Sequence, residues 1–345
     1  GERLGEKLPL RLISSFLFQI LTLVLIFISV TFEIWKLNHS LLFGSGTGFA
    51  LCLSLNLGLS SHSKEPPKKI PMVLVIVSLV TLSLFFIWLG GVPLFDTNLR
   101  EKANLSIVRA FCYMTFVYGF CALVSSKKQE RVLVFIATLG SFLFSLLGFR
   151  FEPMGILLIL IMAFWYRGLL NLQTTIFVSI LLVVIVVIVG YVKVPPEWIL
   201  DPLETLFYRA GFALNTLDKI LEMAYPFGLT RGSASFSPPR SREIVGQVIY
   251  GYNQSITSTL IGAPALDFGL IGIALVMIYF GMMLGVGYSM LKKYQCWCSM
   301  IGYLLAASHS LLLIESGVDF TMWIFTLFIW HLYSRYGRIL RYDKT

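Results

Sequence analysis

The feature that most limits what this chain can become is its recurrence of long apolar runs. A bilayer core about 30 Å thick is crossed by about 20 apolar residues in a helix. Ten stretches approach that form, at roughly 12–32, 42–61, 71–90, 104–124, 132–149, 153–166, 173–192, 268–290, 297–314 and 319–334. The sixth is short, and the second carries GSGTG at 44–48, small residues that permit close helix packing. The first is too long for a removable signal peptide and lacks a small-residue cleavage site, so it is expected to be an anchor. Only 13% of the 345 residues are charged and 57% are hydrophobic, with a mean hydropathy of +0.81. A soluble domain carries roughly 25% charged residues, so the solvent of this chain is mostly lipid. The expected fold is all-α: a single polytopic membrane domain over 1–345 with about ten transmembrane helices.

The net charge of +9 is a matter of topology and does not point to nucleic acid. Basic residues flank the spans on one side: Arg3, Lys7 and Arg11; Lys64, Lys68 and Lys69; Lys127, Lys128 and Arg131; Arg167; Lys292 and Lys293; Arg335, Arg338, Arg341 and Lys344. Both termini and every even-numbered loop are therefore expected in the cytoplasm. The long segment 193–267, between the seventh and eighth spans, is then an extracytoplasmic loop.

That side is rich in arginine. Arg109 falls one to two turns inside the fourth span, where a charge usually faces a cavity or a partner; the alternative is snorkelling to the headgroups. GFRFEP holds Arg150 and Glu152 in a short loop. Residues 203–224 place Leu203, Leu206, Phe207, Ala210, Leu214, Leu217, Leu221 and Ala224 at helical spacing, with Arg209, Thr216, Lys219 and Glu222 largely opposite. The spacing predicts an amphipathic helix in the interface. TRGSASFSPPRSREIVGQVIYG, 230–251, adds Arg231, Arg240 and Arg242 in a stretch whose Gly, Ser and Pro predict a kinked loop and no second long helix. Asp267 stands at the start of the eighth span, where its simplest task is to cap that helix.

Guanidinium forks match phosphate oxygens and stay charged. Six of them (109, 150, 209, 231, 240, 242) at one surface suit a lipid-linked diphosphate, whose charge lies at that depth and which is already an activated leaving group. The four histidines form no HxxH or HExxH pattern, and no P-loop, dinucleotide fingerprint or GxSxG occurs, so no metal or cofactor is expected. Cys52, Cys112, Cys121, Cys296 and Cys298 read as packing residues, with lipidation of the CWC pair as a minor alternative.

GVPLFDTNLREKAN (91–104), SLLGFRFEPMGILLILIMAFWY (145–166), the long loop and TLIGAPALDFGLIGIALVMIYFGMMLG (259–285) resemble the oligosaccharide repeat-unit polymerases of the O-antigen polymerase and ligase superfamily. The resemblance implies a metal-independent glycosyltransferase. Such an enzyme passes a growing oligosaccharide from its polyprenyl-diphosphate carrier to a lipid-linked repeat unit. Some members carry an Arg, ten residues and a Gly in the outer loop, a spacing met by Arg240 and Gly251. The ligases commonly place a His before the next span; the matching segment here, GYNQSITST, has none, which favours polymerase over ligase. The catalytic candidates are Arg150, Arg240, Asp267 and Glu243, and the substrate-binding candidates are Arg109, Arg209, Arg231, Arg242, Tyr250, Tyr252 and Glu152. The general base is left open among Glu243, Asp267 and Glu152. Implied partners are polyprenyl-diphosphate-linked oligosaccharides and membrane lipid, with a flippase and a chain-length regulator as protein candidates. Rival readings are the ligase, a cell-wall-type transferase that polymerises lipid-linked disaccharide, a transporter or flippase of anionic lipids, and a passive assembly subunit.

Overall fold

Apolar runs of this length bury their backbone polarity by coiling, because an amide left unpaired in lipid costs several kcal/mol. The computed structural model describes residues 70–104, 106–125, 130–170, 172–173, 176, 180, 202–237, 241–252, 255–294, 297–318, 322–323, 325–330 and 332–333. Among them there is helix and no strand. The helices are α1 (Ile70–Leu89), α2 (Thr97–Asn104), α3 (Ile107–Ser125), α4 (Glu130–Ser145), α5 (Phe151–Tyr166), α6 (Pro202–Ala224), α7 (Ser233–Phe236), α8 (Ser241–Tyr250), α9 (Gly262–Tyr294) and α10 (Trp297–Ser316). The expected spans at 12–32 and 42–61 and most of the one at 173–192 lie outside the described residues, as do most of the flanking basic groups.

By length and composition, three described helices are long and apolar enough to cross a membrane: Ile70–Leu89, Val108–Ser125 and Gly262–Lys293. Phe151–Tyr166 and Ser299–Ile314 are shorter apolar helices. α1 shows how such a helix divides its surface. Leu74, Val75, Ser78, Leu82 and Phe85 are buried, while Val73, Ile76, Val77, Val80, Leu84 and Ile87 are exposed. Both faces are apolar, as expected of a helix with protein on one side and lipid on the other.

Local signals fix the helix starts. Asp96 accepts from the N–H groups of Asn98 (2.8 Å) and Leu99 (3.2 Å) and so opens α2. Ser106 accepts from Val108 N–H (3.2 Å) and opens α3. α3 lies at the centre, packed on α1, α4, α5 and α10. Its Cys112, Phe116, Phe120, Cys121 and Leu123 are fully buried, so these two cysteines are packing residues. Gly155 of α5 faces Tyr113, whose hydroxyl occupies the space a Cβ would need.

The chain runs back and forth, so one end of the bundle collects residues 90–106, 146–150, the 202–261 segment and 317–318. Leu94 N–H donates to Leu146 O (2.9 Å) across two of these connections. Gly317 closes against the Ser258 carbonyl. α6, α7 and α8 form a second small core on the start of α9, built from Ile220, Ala224, Ala234, Val245, Ile256, Ala265 and Leu266. At the opposite end Arg167 follows α5. Burial lowers its pKa, and the Glu130 carboxylate raises it in part.

Two expectations need correction. Residues 241–250 form a helix, α8, where a kinked loop was expected. The cause is the apolar spacing of Ile244, Val245, Val248 and Ile249, which supplies a face for α6 and α9. For the same reason the buried stripe of α6 is Ala213, Thr216, Ile220 and Ala224, while Phe207 and Leu214, expected on its apolar face, are exposed. Thr216, expected on the polar side, is covered by α8.

Candidate functional site

Three groupings of the candidate residues stand at the end that carries the 202–261 segment. The first forms where α3 and α5 both begin. Arg109, the third residue of α3, places Nε 2.6 Å and Nη2 2.5 Å from Oε1 of Glu152, the second residue of α5. Its Cζ lies 3.7 Å from the centre of the Phe149 ring. Arg109 thus points inward to a partner rather than out to headgroups. Glu152 is only 3% exposed, and its Oε2 is buried without a hydrogen-bond partner. Arg150 is half-buried at the N-cap of α5, two residues from Glu152.

One turn deeper lies a polar chain that sequence reasoning missed. The Tyr113 hydroxyl is 3.3 Å from His309 Nε2. His309 Nδ1 lies 3.0 Å from the Leu305 carbonyl and 3.2 Å from Ser308 Oγ. A carbonyl only accepts, so Nδ1 carries the hydrogen and Nε2 accepts from Tyr113. The imidazole is packed on Phe325 at 4.2 Å between centres. The signal available in the sequence was Ser308, His309 and Ser310 in succession inside an apolar run, since an ionisable group at membrane depth is a functional candidate by default.

The second grouping joins α6 to α8. Tyr208, Phe212, Tyr250 and Tyr252 stack in a row, with successive ring centres 6.3, 5.7 and 5.8 Å apart. Thr216 Oγ1 donates to Phe212 O (2.8 Å) and accepts from the Tyr250 hydroxyl (3.0 Å). Lys219 Nζ sits 4.6 Å from the Tyr250 ring centre. Arg242 and Glu243 occupy the first turn of α8, both half-buried, and the Arg242 carbonyl accepts from Ile256 N–H (3.1 Å).

Asp267 builds the third. It does not cap its own helix, because α9 starts five residues earlier. Its Oδ1 accepts from Thr230 Oγ1 (2.6 Å), Gly232 N–H (2.8 Å) and Ala234 N–H (2.9 Å), and its Oδ2 from Ser235 N–H (2.7 Å). The carboxylate is 1% exposed and ties α7 and the turn before it onto α9. Arg231 sits in that turn, exposed, with a left-handed φ of 49° that favours glycine. α9 is notched where this turn docks. Gly269 has φ 60° and ψ −137°, and a Cβ there would strike the Pro226 carbonyl. Gly228, with φ 82°, would likewise strike the Asp267 carbonyl.

The contacts thus join Arg109 to Glu152, Tyr250 to Tyr252, and Asp267 to the backbone around Arg231. Arg240 lies outside the described residues; so does the side chain of Arg209, whose backbone belongs to α6. Among the described residues no group of three or more His, Cys, Asp and Glu side chains is placed to hold a metal ion.

Residues 8–326 match the family described as "Putative O-antigen polymerase". Two relatives come from Methanocaldococcus jannaschii. The uncharacterized protein MJ0420 is 27% identical over 303 residues, covering 86% of this chain and 72% of its own length. The uncharacterized protein MJ0419 is 24% identical over 261 residues, covering 71% of this chain and 70% of its own. No solved structure matches. With apolar helices, a charged corner where α3 and α5 begin and a family match across most of its length, the chain belongs to the O-antigen polymerase family.

Proposed function

We propose that this protein polymerises glycans at the extracytoplasmic face of a membrane, moving an oligosaccharide from a polyprenyl-diphosphate carrier onto a lipid-linked repeat unit. The observation that carries the reading is the pair of half-buried Arg109 with buried Glu152 beside Arg150, at the bundle end shared with the 202–261 segment. In this reading Arg150, with Arg240 and Arg209 from the long loop, grips the diphosphate. The acceptor hydroxyl oxygen bonds to the anomeric carbon, the bond from that carbon to the diphosphate oxygen breaks, and its electron pair leaves with the diphosphate. Fixed guanidiniums stabilise the charge that develops there. Arg109 orients Glu152, whose second oxygen is left to take the hydroxyl proton, with Glu243 as the other candidate. Asp267 is assigned to holding the backbone, because four donors of its own chain occupy its two oxygens. Arg242, Tyr250 and Tyr252 border the glycan, with Tyr208, Phe212 and Lys219 extending that border along α6. α6 acts as a side wall next to the carrier lipid.

The test is a glycan ladder assay with purified protein in vesicles and a lipid-linked oligosaccharide, run with and without chelator. Arg150→Ala and Arg240→Ala each abolish the ladder while the protein stays monodisperse, and the chelator changes nothing. Full-length polymer from both variants overturns the assignment.

A further inference from the structure

The segment that joins α6 to α8 has an unusual distribution of polarity. Its large apolar side chains are bare: Phe227 is 79% exposed, as open as Trp88 on α1 at 77%, and Tyr225, Leu229 and Phe236 are exposed too, with Arg231 and Ser233 the exposed polar residues between them. Its backbone is the opposite. Every N–H from Gly228 to Ser237 has a partner within the protein. Gly228 donates to Ala224 O, Leu229 and Thr230 to Leu266 O, and Arg231 to Asp267 O. Gly232, Ala234 and Ser235 donate to the Asp267 carboxylate. Ser233, Phe236 and Ser237 donate to Thr230, Gly232 and Ser233 carbonyls. A loop in water has no need of this, since water pairs exposed amides at little cost. Irregular backbone at membrane depth does need it.

Depth follows from where the segment docks. Pro226 O accepts from Leu270 N–H (3.1 Å), so the turn that carries Phe227 docks on α9 at Leu270, next to Ile271 in sequence. Both are exposed apolar residues of α9, continuous with exposed Leu275, Ile278 and Met282. Leu270 is eighteen residues of helix from exposed Tyr288. That is about 27 Å of rise, within the ~30 Å hydrocarbon layer. Exposed aromatics mark both ends, with Trp88 and Phe95 at the bundle end that carries the segment and Trp165, Tyr166 and Tyr288 opposite, as residues at the two membrane–water boundaries do.

We propose that residues 225–236 are a membrane-dipping loop whose aromatic and aliphatic side chains rest among the acyl chains of the bilayer. Asp267 and the carbonyls of α9 do for its amides what water does for an ordinary loop. Arg231, exposed on the same segment, extends to the phosphate level, as long cationic side chains do. This inference stands apart from the catalytic reading, since it invokes neither glycan nor diphosphate.

The test places p-benzoyl-phenylalanine singly at Phe227, Phe236 and Leu229 in the full-length protein. The carrier is vesicles of phosphatidylcholine and phosphatidylglycerol, with Leu275 as the lipid-facing reference and exposed Glu101 as the polar one. After illumination, intact-protein mass spectrometry shows lipid adducts at Phe227 within about threefold of the yield at Leu275, and none at Glu101. An adduct at Leu275 with none at Phe227 overturns the proposal. Should the Phe227 variant not fold, the same outcome at Leu229 and Phe236 overturns it. The readout needs no substrate, so its failure leaves the polymerase reading as it was.

Discussion

Arg109 and Glu152 illustrate what a buried ion pair does and does not contribute. Each charge alone in that setting is expensive, and the pair roughly balances its own desolvation. Arg109→Ala or Glu152→Gln is therefore expected to cost about 3–5 kcal/mol, read from unfolding in detergent. The double substitution Arg109→Met with Glu152→Leu recovers most of that stability yet yields no polymer; a double variant that still polymerises removes both residues from the mechanism. Asp267 makes a different claim at the same scale. Asparagine keeps the shape but turns an NH2 toward backbone N–H groups, a loss of about 1–3 kcal/mol. The expected consequence of Asp267→Asn is faster tryptic cleavage after Arg231, the exposed arginine in the turn that the carboxylate holds. Unchanged cleavage would mean the clamp is not what orders that turn. Arg109 could be singled out from the sequence because charge inside an apolar run is conspicuous. The Tyr113–His309 contact could not, because its residues are 196 apart; the run Ser308, His309 and Ser310 marked one partner and nothing marked the other.

The elements were legible where hydropathy decides and obscure where tertiary contact does. α1, α5, α6 and α10 start and stop within about two residues of the apolar or amphipathic windows. α2 and α8 are polar or Pro-flanked, so no window marks them; the Asp96 cap and the Ile244–Val248 spacing were the usable signals. The notch in α9 is a third case. Gly269 lies in the 259–285 run that carries the family resemblance, and nothing in that run marks it as the residue whose backbone leaves the helical region to admit Pro226. Gly269→Ala adds a methyl against that carbonyl and forces a residue other than glycine to a positive φ, with a cost on the order of 2 kcal/mol or more. The expected result is weaker protection of the Leu229 and Thr230 amides in hydrogen exchange, with α1 and α3 unaffected. Equal protection in the variant would show that the notch can close without the turn.

For the whole molecule, α9 is long and apolar enough to cross a membrane, and the proposed orientation sets its two ends in different compartments. Under the proposed orientation Asp218 and Glu222 of α6 face outside, and Lys292 and Lys293 face the cytoplasm. Cysteines introduced at Asp218 and Lys292 should react with a membrane-impermeant maleimide from opposite sides in intact cells and inverted vesicles; reaction from the same side would refute the orientation. The amides fastened to α9 also restrict how this end of the molecule can move. A hinged flap, peeled back residue by residue, would strand bare donors in oil at every step. Any gate formed here must swing as a rigid block, with the turn and the opening residues of α9 travelling together. Under the proposed function, room for a bulky sugar then has to come from parts of the molecule outside this block.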